Sequence, residues 1–138
     1  ASDVYKRQEY KEIFMAKFRP ILILAGVELP LPDSYSQTIA DLSSTQTGRT
    51  LDGRAHKDVI AVKDTIPLKW SRLEWEKAAE IANAVDGIEY AVMQYMDVRN
   101  PYEMTKTEVY VGDRKAEFVE ADTDGKVYWS LEFSRIEV

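Results

Sequence analysis

The sequence predicts a mainly β protein, a β-sandwich or partly closed barrel of mostly antiparallel strands, with one α-helix at about residues 71–86. Three observations carry that prediction. Every second residue from Ile60 to Trp70 is apolar except Asp64, while Ala61, Lys63, Thr65, Pro67 and Lys69 fill the other phase, which is the pattern of a half-buried strand. At Ser71 the period changes, and Trp75, Ala78, Ile81, Ala82 and Val85 fall on one helical stripe. The remaining chain breaks into short β-prone runs, and only one connection is long enough to hold a crossover helix, so neighbouring strands pair mainly antiparallel.

Taken in order, ILILAGVELPLP from Ile21 reads as a buried strand, a tight turn at Ala25-Gly26, and a second short strand stopped by Pro30 and Pro32. Ser34 to Ser44 is rich in Tyr, Thr and Ile and reads as a strand. After a polar stretch from Ser43 to Asp58 comes the Ile60–Trp70 strand, in which Pro67 cannot donate to a ladder and marks an edge or a bulge. Ser71-Arg72-Leu73-Glu74 fits a capping box that starts the helix, and Gly87 is placed to end it in the left-handed conformation. Beyond it, Ile88, Tyr90, Val92, Met96 and Val98 share one strand phase; Thr105, Thr107, Val109 and Val111 share another. Lys115 to Ala121 then leads through the turn Asp122-Thr123-Asp124-Gly125 into a final strand with Val127, Trp129, Leu131 and Phe133 on one face. All three tryptophans fit these apolar faces and are expected in the core.

At 138 residues the chain holds one domain, expected over 15–138. Residues 1–14 read as a non-native N-terminal extension, because ASDVYKRQ resembles a translated sequencing adapter of the kind found on metagenomic reading frames, and Met15 is a natural start. An amphipathic starter helix with Tyr10, Ile13 and Phe14 on one face is the other reading of that segment. With 18 Lys+Arg against 24 Asp+Glu the net charge is -6, so the molecule as a whole repels phosphate backbones. No apolar run approaches the ~20 residues needed to span a bilayer, and no membrane partner is expected. The absence of cysteine removes disulfides, thiolate metal sites and cysteine nucleophiles together.

Nothing in the sequence builds a reaction centre. The only histidine, His56, sits in a polar Gly-containing loop without a nucleophile elbow, and reads as a surface residue before it reads as a general base. Glu120-Ala-Asp122-Thr-Asp124-Gly125 imitates the opening of a calcium loop, but Leu131 stands where the bidentate Glu belongs. The six glycines form no phosphate-cradling motif. No catalytic residue, cofactor or metal is expected, and the protein reads as a non-enzyme. The polar arm is different. It is longer than the usual connection of about 4–6 residues, and Arg49, Asp52, Arg54, His56 and Lys57 mix both signs of charge, which suits reciprocal contact between identical subunits.

GVELPLPDSYSQTIADLSS, the loop GRTLDGRAHKD, TIPLKWSRLEWEKAAEIANAV, YVGDRKAEF and the closing YWSLEFSRIEV together resemble a family of small tail-associated proteins of long-tailed phages and prophages of Gram-positive bacteria. The similarity runs over almost everything from Ala25 onward. More loosely, the element order is similar to the tail-tube and distal-tail folds. The resemblance implies a virion structural protein made in the bacterial host cytoplasm, forming a homo-oligomeric ring, possibly hexameric, with Thr45 to Lys57 as the assembly arm. It implies other tail proteins as partners and DNA only as transported cargo, which like-signed walls would let slide. The chain is short for a main tube subunit, so tube, connector and tip roles stay open. The alternative is a small intracellular binding module or tail-assembly chaperone acting as a monomer or dimer.

Overall fold

The structure is a computed structural model that describes residues 18–43, 48–49, 55–56 and 59–138, with the side chains of 43–60 excepted. Ten strands and one helix follow in the order β1 (Leu22–Leu24), β2 (Val27–Leu29), β3 (Thr38–Ser43), β4 (Gly48–Arg49), β5 (Ala55–His56), β6 (Val59–Glu74), α1 (Trp75–Ala84), β7 (Ala91–Met96), β8 (Met104–Val111), β9 (Lys115–Ala121) and β10 (Val127–Glu137). Among the described residues the mainly antiparallel β architecture with one helix agrees with the sequence. Its two layers do not form as separate sheets: eight strands join in one sheet, ordered β2-β1-β7-β8-β10-β6-β3, with β9 paired to β10 off that path. Strand β10 is the fork. Along one edge it pairs β6 from Tyr128 to Ile136; along the other it pairs β9 over Val127–Glu132 and β8 over Arg135–Glu137.

The sheet is not closed into a barrel, because no ladder joins β2 to β6. Single bonds span that seam instead. Asp33 N–H donates to the Lys69 carbonyl at 2.9 Å, Trp70 Nε1–H donates to the Pro30 carbonyl at 2.8 Å, and the Asp33 carboxylate accepts both the N–H and the hydroxyl of Ser71. Helix α1 touches β2, β6 and β10 and covers the same gap with Ala78, Ile81 and the following Val85. The inward face of the sheet supplies the rest of the core, including Leu22, Leu24, Ile66, Leu68, Trp70, Met93, Val109, Leu131 and Phe133.

Several local expectations hold for stated reasons. The Ala25-Gly26 turn has both central residues at positive φ (+52° and +81°), the two-residue geometry that matches strand twist. Gly125 (φ +85°) closes the β9–β10 turn, and Asp122 Oδ1 accepts from the N–H groups of Asp124 and Lys126 at 3.0 and 2.9 Å, so the apparent calcium ligand is occupied by its own backbone. Pro67 lies past the end of β3, whose pairing stops at Thr65, so only its β10 side is engaged.

Others are corrected. The helix starts at Trp75, not Ser71, and its N-cap Glu74 makes no side-chain cap bond. Ladder pairing wins over the capping box: Leu73 and Glu74 pair with Trp129 and Tyr128, and the Ser71 hydroxyl is taken by Asp33. Consequently Trp75 precedes the buried stripe and is 52% exposed. In β7 the buried residues are Met93 and Tyr95, and the expected phase of Ile88, Tyr90, Val92 and Val98 faces outward. Both phases are apolar there, and pairing of Leu24 with Met93 decides which turns in. Strand β3 is shorter than the sequence indicates, because Tyr35 and Gln37 are drawn into side-chain bonds with other strands. Among the described residues no helix is long and apolar enough to cross a membrane. Residues 1–14 lie outside the described residues.

Candidate functional site

The described parts of the polar arm pair antiparallel. Strands β3 and β6 pair from Thr38–Thr65 to Ser43–Val59, with a register shift after Leu42. Among the described residues β4 and β5 pair only with each other, Gly48 opposite His56 and Arg49 opposite Ala55, in a two-stranded sheet separate from the main one. Of the five residues the sequence assigns to subunit contact, Arg49 and His56 therefore fall on this ribbon, at adjacent register positions. Asp52, Arg54 and Lys57, and the expected Asp52-Gly53 turn, lie outside the described residues, as does the His56 side chain.

At the base of the arm the apolar face of β6 outruns the core. Asp64, Ile66, Leu68 and Trp70 are buried, but Val62, in the same phase, is 43% exposed, and Leu42 on β3 is comparably open. Val62 lies opposite Asp41 and Leu42 opposite Ala61, so the two sit on opposite faces, each an exposed apolar residue that a partner can bury.

Inward from the arm the same strand ends in a charged cluster. Arg135 on β10 and Asp64 on β6 are both buried and form a bidentate pair, Nη1–Oδ1 2.5 Å and Nη2–Oδ2 2.9 Å. The guanidinium lies 4.2 Å from the centre of the Tyr95 ring. Gln37 Nε2 donates to Asp64 Oδ2 and accepts, through Oε1, the N–H of Val98 at 3.0 Å, while Glu137 Oε2 accepts the Asp64 N–H at 2.9 Å. Burial alone would raise the Asp64 carboxyl; hydrogen bonds from Arg135 and Gln37 outweigh it and hold it below the ordinary carboxylate value. Nearby, the Arg99 guanidinium holds Asp97 down to about 2, and burial pushes the Tyr35 hydroxyl, which donates to the Met96 carbonyl at 2.7 Å, up to about 12. Apart from Arg135 Nε, which has no partner among the described residues, these groups satisfy one another. The cluster fixes how β3, β6, β7 and β10 meet, and so fixes the platform from which the arm leaves. Beside it opens a cleft of about 550 Å³ lined by Phe18, Tyr35, Met96, Val98 and Tyr102 among others.

Two features of this region escape the sequence reading. Asp64 stands out as the one carboxylate on an apolar strand face, but its partner does not, although Arg135 continues the inward phase of Leu131 and Phe133 and is the signal that could have found it. The other is the β9 edge, where all seven residues are exposed and Phe118 stacks edge-on against Trp129 at 6.1 Å, with Trp75 5.7 Å from Trp129 on its other side. Among the described residues no three His, Asp or Glu side chains gather as a metal site. No protein-family model matches the chain, and no curated protein matches it.

Proposed function

We propose that this protein is a non-enzymatic structural subunit of a long-tailed phage tail, a rigid β body that assembles with its own copies into a ring through the arm at Ser43–Asp58. The observation that carries the reading is the separate β4–β5 ribbon set beyond the last β3–β6 pair. A ribbon that short buries no face of its own and gains stability by packing on something else. The mixed charges of Arg49, Asp52, Arg54, His56 and Lys57 suit a neighbour that offers the same set, and exposed Val62 and Leu42 at the base supply apolar area. The resemblance of the sequence to tail-associated proteins and an acidic net charge of -6, suited to a conduit for DNA, support a ring in the virion with other tail proteins as neighbours.

Light scattering behind size exclusion, combined with negative-stain microscopy, tests this. Rings or short tubes with a mass several times 15.8 kDa are expected. A strict monomer or dimer at high concentration sinks the ring reading in favour of a binding module or assembly chaperone.

A further inference from the structure

Among the described residues the sheet has three end strands, β2, β3 and β9; β2 lies at the seam with β6, and β3 and β9 present edges whose directions are complementary. Among the described residues β3 pairs only with β6 and β9 only with β10. Since β6 is antiparallel to β3 and to β10, and β10 is antiparallel to β9, β3 and β9 run in opposite senses on opposite sides of the layer β3-β6-β10-β9. Every described side chain of β3 and all of β9 are exposed. Neither edge is strongly blunted. Strand β3 has no proline or lysine and a single charge, Asp41, while the charges of β9 are engaged within the chain: Lys115 with Glu117 and Glu132, Glu120 with Arg72.

We infer that β9 of one copy adds to β3 of the next, so that subunits join head to tail through a continuous antiparallel sheet. The inference rests on the self-assembly proposed above and adds a sheet-to-sheet joint to the contact made by the arm. A rotation about an axis near the strand direction keeps the sense of every strand, so β9 meets the following β3 antiparallel without any strand reversing, and a repeated rotation closes a ring when strand tilt takes up the offset of β3 and β9 along β6. The pleat then limits the register. Ile39 lies opposite Asp64, on the core face. Phe118 lies opposite Trp129, which lies opposite buried Leu73, on the same face. Matching faces allows Ile39 to lie opposite Ala116, Phe118 or Glu120, and apolar pairing favours Phe118, which puts Ala40 opposite Glu117, Asp41 opposite Ala116 and Leu42 opposite Lys115. No like charges face each other in this register, Lys115 is diagonal to Asp41, and an exposed phenylalanine meets an exposed isoleucine.

The chain has no cysteine, which makes a crosslinking test clean. Within one molecule β3 and β9 are three strand spacings apart and are also displaced along β6, Ala40 level with Lys63 and Glu117 level with the Trp70–Leu73 stretch, so their separation exceeds about 14 Å, twice the ~7 Å that a disulfide tolerates between Cα atoms, and a bond between them must join two copies. Under mild oxidation the double variant Ala40→Cys with Glu117→Cys is expected to give a ladder of covalent oligomers on a non-reducing gel. Either single variant, and the face-mismatched pair Ala40→Cys with Phe118→Cys, should give none beyond dimer. If the intact chain assembles by light scattering but the matched pair gives no ladder, the joint lies elsewhere and the self-assembly reading survives. Efficient dimerisation by Glu117→Cys alone indicates two-fold β9–β9 pairing and overturns the head-to-tail arrangement. An intact chain that is monomeric, with no ladder from the matched pair, removes both.

Discussion

Replacing Asp64 with alanine is expected to lower folding stability by about 3–5 kcal/mol, read as a shift of the urea midpoint. The reason is the group left behind. Arg135 is wholly buried, and its guanidinium cannot shed its proton, so removing the carboxylate strands a full charge in the core. Its Nε already has no partner among the described residues, which leaves little to fall back on. Removing both charges, Asp64→Leu with Arg135→Met, is expected to recover most of the loss, because well-packed apolar groups replace buried pairs at little cost. A single variant within ~1 kcal/mol of the intact protein would mean that water reaches Arg135, since only a hydrated cation loses its partner so cheaply. Acidification gives the same test by another route. The folded pKa of Asp64 lies below the unfolded value, so its contribution is complete above the ordinary carboxylate range and is lost as pH falls through the depressed value. Asp97, with a folded value of about 2, adds loss between about pH 4 and 2. Stability should therefore fall on acidification in the intact protein and fall less in the double variant.

Trp70→Ala is expected to cost a similar amount, about 3–5 kcal/mol, by emptying the middle of the core beside Phe133. The indole is 2% exposed and its ring centre is 5.7 Å from that of Phe133. Trp70 also does something an apolar residue cannot, because its Nε1–H crosses the β2–β6 seam to the Pro30 carbonyl. Trp70→Phe keeps most of the volume and loses the seam bond, so a smaller cost of about 1–3 kcal/mol is expected. Equal losses for the two variants would show that the seam bond, not packing, is what Trp70 contributes. Thermal or urea unfolding of both variants decides it.

How much of this was legible in the chain depended on how local the cause was. The Ala25-Gly26 and Asp122–Gly125 turns, the inward phase of Ile66, Leu68 and Trp70, and the buried stripe Ala78, Ile81 and Val85 all follow from residues close in sequence. The helix start was misplaced because Ser71 and Glu74 satisfy a local rule that strand β10, more than 50 residues away, overrides by pairing with Leu73 and Glu74. The phase of β7 could not be read, since Ala91-Met93-Tyr95 and Val92-Met96 are both apolar and only register against β1 and β8 separates them. Of the site, the arm was visible as a long, polar, mixed-charge interruption. Its platform was half visible, as Asp64 without Arg135, and the opposed edges β3 and β9 were not visible at all, because edge position is a property of the sheet order and not of any segment.

The account turns on the arm being an outgrowth of a body that is stable without it. The direct measurement is the solution mass and thermal transition of a chain lacking Gln46–Ala55, beside the intact chain. The expected result is loss of assembly with an unchanged transition, because the arm ribbon pairs with no strand of the main sheet. Assembly that survives the deletion, or a domain that unfolds with it, contradicts the account.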